Sequence, residues 1–234
     1  MFLNGFVSTI ERQDMYAKCV FYFSVTMSLF FTILLFDYSN GNVSRLKCNV
    51  SLYDIVCMDL RVYLPESWST TVPASVFVLS YNYLSLMMCA MTCAVFTLVY
   101  YTYLADDNMP RKRLFYSCLF LVQLFTLGAF TAGSLLIFFV YFESALFPMA
   151  FIIGYWGSSD KRWFASRQFL LYSLVASVPM LMAVVYVYSV FGTCDIIFLK
   201  LYASSLLSPL EQVLIWLAIF VMLAAKIPMF PLHS

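Results

Sequence analysis

"FFVYFESALFPMAF", residues 138–151, places one carboxylate, Glu143, inside an otherwise apolar run. Between Leu114 and Tyr155, Glu143 is the only Asp, Glu, Lys, Arg or His. A helix rises about 1.5 Å per residue, so roughly 20 such residues cross the hydrocarbon of a bilayer. A membrane-spanning strand would instead alternate in polarity over about ten residues. Unbroken apolar runs therefore predict helices, the form that satisfies its own backbone in lipid. An acid near the middle of such a helix costs roughly 2.5 to 3.5 kcal/mol even on permissive insertion scales. Phe139, Val140, Leu146 and Phe147, its helical neighbours, cannot offset that. Glu143 needs a wet cavity or a cationic partner, unless it snorkels to the lipid interface, and its central place in the run argues against snorkelling. A carboxylate so placed changes protonation as its neighbours move.

The composition around this run agrees. Of 234 residues, 63% are hydrophobic and 11% charged, against about 25% charged in a soluble domain. The fold class expected is all-α, a polytopic transmembrane bundle of about six helices. Apolar length sets these at 16–37, 75–104, 114–131, 134–155, 169–191 and 212–230. Residues 1–74 hold the first helix and a long polar loop; 75–234 hold the rest of the bundle. The tight "TAGS" at 131–134 predicts a hairpin between the third and fourth helices.

A net charge of +1 offers no global field to recruit nucleic acid, so no nucleic-acid partner is expected and the bilayer is. Lys and Arg alternate unevenly between the two sides. Arg12, Lys18, Arg111, Lys112, Arg113, Lys161, Arg162 and Arg167 fall on one side, against Arg45, Lys47, Arg61 and Lys200 on the other. The richer side, with the amino terminus, is expected in the negative compartment, a cytoplasm or a mitochondrial matrix. No removable targeting peptide is visible. The seven cysteines show no metal-ligand spacing. Cys89 and Cys93, one turn apart, read as packing residues, and Cys48 and Cys57 share a loop where an oxidising space would permit a bridge. Sequons at Asn42 and Asn49 are chance occurrences unless the chain is secreted. No metal site and no cofactor are expected in this chain.

Lys226 is the complementary charge. It follows the apolar "VLIWLAIFVMLAA", about 20 Å along its helix at 1.5 Å per residue, and prolines follow at 228 and 231. Without their N–H groups the helix breaks just after the lysine. Such breaks at membrane depth persist where protein or a wet cavity covers them. The alternative is a lysine reaching out to the interface. His233, beyond the break, has an ordinary pKa near 6.5 and suits proton relay, although a lone histidine more often has no such role. Gln123, Tyr141, Tyr172 and Ser173 either line a hydrated path or serve as interhelical hydrogen-bond glue. Nucleophile elbows and phosphate loops are absent.

"FVYFESALFPMAFIIGYWG" (139–157), "FLLYSLVASVPMLMAVVYVY" (169–188) and "WLAIFVMLAAKIPMFPLH" (216–233) resemble, in order and spacing, the subunit 4 family of proton-pumping NADH:ubiquinone oxidoreductase, respiratory complex I. They are similar, more loosely, to its antiporter-like relatives and to multisubunit cation/proton antiporters. The resemblance runs from about residue 75 to 234. It implies that Glu143 and Lys226 form a charge pair controlling the lysine's proton, with His233 near the proton path. It also implies a membrane-arm subunit of the mitochondrial inner membrane, not catalytic in isolation. Partners implied are the other membrane-arm subunits. Family members have about fourteen helices, so a separate chain carrying the carboxy-terminal half is expected. A structural subunit without an active proton path, and an antiporter component, are the alternatives.

Overall fold

The computed structural model describes residues 2–39, 82–104, 110–227 and 229. These form eight helices: α1 (Phe2–Ser39), α2 (Tyr83–Leu104), α3 (Lys112–Thr131), α4 (Leu135–Ser144), α5 (Leu146–Trp156), α6 (Arg162–Phe191), α7 (Ile196–Leu206) and α8 (Pro209–Lys226). Among the described residues there is no strand, only an isolated antiparallel bridge between Ser134 and Asp195. Among the described residues, six stretches are long and apolar enough to cross a membrane, with α4 and α5 counted as one. The expected polytopic bundle of six spans is therefore present. The sequons, Cys48 and Cys57 lie outside the described residues.

Helices α1 to α3 form one compact unit and α4 to α8 a second. In the first, Leu86, Cys89, Cys93 and Tyr100 are the buried positions of α2. Their steps of three, four and seven residues lie on one side of a helix. The small thiols pack with Phe31 and Leu86, and Met27, Leu34 and Leu127 close around them. Cys89 and Cys93 are free thiols with packing roles. A buried polar chain joins the three helices. Tyr100 Oη donates to Gln123 Oε1 at 3.0 Å, and Gln123 Nε2 donates to Ser24 Oγ at 3.1 Å. Hydroxyls elsewhere, such as Thr26 and Thr32 on α1, donate to carbonyls one turn back, the local solution to polarity in lipid.

In the second unit α6 is central. Its outward stripe is Leu171, Val175, Val178, Met182 and Val185, each more than half exposed. Its buried face carries Ser166, Ser173 and Ser177 with Met180, Ala183, Val184 and Val187. Aliphatic outside and small or hydroxylic inside is the polarity of a helix packed in lipid. Against α5, Ser166 Oγ donates to the Ala150 carbonyl at 2.6 Å. A Cβ at Gly154 would lie 3.2 Å from that same oxygen, so glycine permits the close approach. Gly192, at φ 68°, ends α6 in the left-handed cap that glycine adopts without strain. The chain then returns to the start of α4, with Leu135 N–H donating to Cys194 O and Ile196 N–H to Gly133 O.

Several boundaries differ from the sequence expectation. The fourth span is two helices, interrupted at Ala145. Pro148 accounts for this: it lacks the N–H that would bond the Ser144 carbonyl, and its ring crowds that oxygen. Helix α6 begins at Arg162 rather than 169, because "RWFASRQ" is helical yet too polar to register as membrane length. Helix α7 falls where a loop was expected. Helix α8 starts at Pro209 rather than 212, set by a capping box. Ser208 Oγ accepts from Glu211 N–H while Glu211 Oε2 accepts from Ser208 N–H at 2.8 Å. Its other oxygen, Oε1, accepts from Tyr186 Oη at 2.6 Å and ties the start of α8 to α6.

Candidate functional site: a buried carboxylate and ammonium

Glu143 is the penultimate residue of α4, two residues before the Ala145 interruption. Lys226 is the last residue of α8. The two helices meet on α6 across a core of Met180, Val184, Cys194 and Met222, with Phe138, Phe139, Phe142 and Ile219 packed against it. This brings Lys226 Nζ to 3.9 Å from Glu143 Oε1, with the side chains 16% and 11% exposed. The separation exceeds hydrogen-bonding distance, and among the described residues neither the ammonium nor either carboxylate oxygen has a hydrogen-bond partner. Phe142, beside Glu143, presents its ring to the same ammonium, with Nζ 4.9 Å from the centroid. Ser177, on the buried face of α6, faces the carboxylate while its hydroxyl donates to the Leu174 carbonyl at 2.8 Å.

The pair sits at a place where three helices depart from regular hydrogen bonding. Helix α4 stops at Ser144, α6 carries Pro179 two residues after Ser177, and α8 ends at Lys226. Past that end, Met229 N–H donates to the Ala224 carbonyl at 2.9 Å. That long-reach bond closes a helix terminus and satisfies one of its free carbonyls. At about 4 Å and an effective dielectric near 20, opposite unit charges attract by about 4 kcal/mol. Doubling the separation halves this. A shift of roughly 2 kcal/mol changes an equilibrium more than tenfold, so a movement of a few ångströms can alter which group holds a proton.

Other residues singled out in the sequence fall as follows. Gln123 is bonded within the first unit, as the interhelical glue reading requires. Ser173 Oγ donates to the Phe169 carbonyl at 2.7 Å, within its own helix. Tyr141 and Tyr172 are half-buried. His233 lies outside the described residues. Sequence reasoning missed Phe142 and Ser177. The signal for Phe142 was available: an aromatic ring directly beside a lone membrane acid.

Residues 132–234 match the family model described as NADH:quinone oxidoreductase/Mrp antiporter, transmembrane. A stretch of 122 residues is 38% identical to NADH-ubiquinone oxidoreductase chain 4 of Marchantia polymorpha, covering 52% of this chain and 24% of that one. Chain 4 of Prototheca wickerhamii is 44% identical over 119 residues, 50% of this chain and 22% of the relative. NADH-quinone oxidoreductase subunit M of Rickettsia typhi is 41% identical over 118 residues, 50% and 23%. The chain thus covers about a quarter of the length of the curated relatives it matches. A chain of the membrane-bound sulfane sulfur reductase, an archaeal respiratory membrane complex, shares the fold at TM-score 0.64 and 14% identity, over 97% of this chain and 44% of that one. Residues 132–234, the part of the chain that carries Glu143 and Lys226, are thus similar to the NADH:quinone oxidoreductase/Mrp antiporter transmembrane family, with relatives named chain 4 and subunit M.

Proposed function

We propose that this chain is a proton-translocating membrane-arm subunit of NADH:ubiquinone oxidoreductase, working in the mitochondrial inner membrane with its amino terminus on the matrix side. The observation that carries this reading is the unclosed Glu143–Lys226 pair, 3.9 Å apart and buried at the ends of interrupted helices. A closed, doubly hydrogen-bonded bridge would be a structural clamp. A pair without hydrogen bonds is held by charge alone, and its attraction changes steeply with small displacements.

Electron transfer elsewhere in the complex supplies the driving force. In this chain, the last turn of α4 carries the Glu143 carboxylate toward or away from Lys226, using the slack at Ala145. Each movement alters the lysine's hold on its proton, and His233 is the candidate to pass that proton on. The other membrane-arm subunits are the proposed partners. Segments corresponding to the remaining length of the relatives, in continuation of this chain or on another polypeptide, complete the path.

Lys226→Ala in the assembled complex tests this. Proton translocation per NADH oxidised is expected to fall by at least half with assembly intact, and wild-type stoichiometry would reject the role. The matching family also includes Mrp antiporters, which favours a second reading as a cation/proton antiporter component. Co-purification with flavin and iron-sulfur proteins selects the first reading, and their absence the second.

A further inference from the structure

The Lys226 ammonium has a neighbour that pairing with Glu143 leaves unused. The face of an aromatic ring attracts a cation within about 6 Å of its centroid, most strongly where water is excluded. The Phe142 centroid is 4.9 Å from Nζ, and Nζ has no hydrogen-bond partner among the described residues. Among the described residues, carboxylate and ring are thus the two groups found to stabilise this charge. They differ in mobility. The Phe142 ring stacks on Phe138 with centroids 5.5 Å apart and planes 20° from parallel, and both pack against the Met180 and Met222 core. The carboxylate is held by no hydrogen bond from the described residues. Consecutive helical residues point about 100° apart, so a change in the Glu143 side-chain rotamer withdraws the carboxylate while the neighbouring ring keeps its place.

We propose that Phe142 is a positioning residue: its ring holds the Lys226 ammonium in place while the Glu143 carboxylate is withdrawn. This rests on the pumping reading above and adds a second station for the same charge. The lysine then stays directed into the site through the part of the cycle in which its anionic partner is absent.

Proton translocation by assembled complexes tests it. Phe142→Met and Phe142→Leu keep apolar bulk and remove the ring face, and pumping is expected to fall about five- to thirtyfold, the range from an exposed to a desolvated cation–π contact. Phe142→Tyr keeps the face and is expected to retain at least half of wild-type pumping. Phe138→Leu, which removes the stacking neighbour but leaves the ring packed on the Met180 and Met222 core, is expected to lose less pumping than Phe142→Leu. Wild-type pumping by the Met and Leu variants overturns the proposal. So does equal failure of the Tyr variant, or an equal loss in Phe138→Leu. Should the Met and Leu variants not assemble, Phe142→Met is placed in a Lys226→Met background. Assembly restored there supports the charge role, and assembly still lost assigns the ring to packing and overturns it. Full pumping in Lys226→Ala overturns both readings, whereas lost pumping there with wild-type pumping in Phe142→Met overturns the ring's role alone.

Discussion

A carboxylate and an ammonium in a bilayer each cost roughly 2.5 to 3.5 kcal/mol by insertion scales. Their attraction at 3.9 Å returns about 4 kcal/mol, and the Phe142 ring up to about 2 kcal/mol more. Cost and return nearly balance, so the charges are tolerated without being locked. Gln123 is the contrasting residue, with every bond of its buried chain closed. Gln123→Leu removes the acceptor of Tyr100 and the donor to Ser24. It is expected to destabilise the folded chain by about 1 kcal/mol, read by detergent-titrated unfolding, with pumping by the remaining folded complex unchanged. Glu143 and Lys226 were legible in the sequence because each is a lone charge in an apolar run. Their separation was not, since it depends on how α6 brings together residues 83 positions apart in the chain.

At the level of elements, proline decides where the helices give way. Pro148 sits in the first turn of α5, where its missing N–H would go unused within that helix, and it frees the Ser144 carbonyl. Pro148→Ala restores the missing donor and is expected to join α4 to α5. Thermal stability of the complex should then rise, while proton translocation falls because the Glu143 turn has lost its slack. A variant that pumps at wild-type rates with α4 and α5 continuous would separate the break from the function. The proline was visible in "SALFPM", yet the apolar run passes straight through it, and hydropathy measures membrane length rather than helix continuity. The same limit hid α7. Its eleven residues, "IIFLKLYASSL", are too few to span and carry Lys200, so they read as loop. The start of α8 was legible in "SPLE", a capping box with proline in the first helical position.

For the molecule as a whole, the inside-out polarity of α6, aliphatic toward the surroundings and serine-bearing toward its neighbours, marks a protein whose solvent is lipid. The polytopic helical class followed from composition and apolar length. The likeness of residues 132–234 to the antiporter-type family was legible in three segments in fixed order, which the family match spans in full. The central claim is that Glu143 and Lys226 work as one unit, and a double-mutant cycle on proton translocation tests it most directly. Glu143→Gln, Lys226→Met and the double variant are compared in assembled complexes, as protons moved per NADH oxidised. Coupled action predicts that each single change lowers the ratio and that the double variant is no worse than the more impaired single one. Losses that multiply, or a wild-type ratio in either single variant, would contradict it.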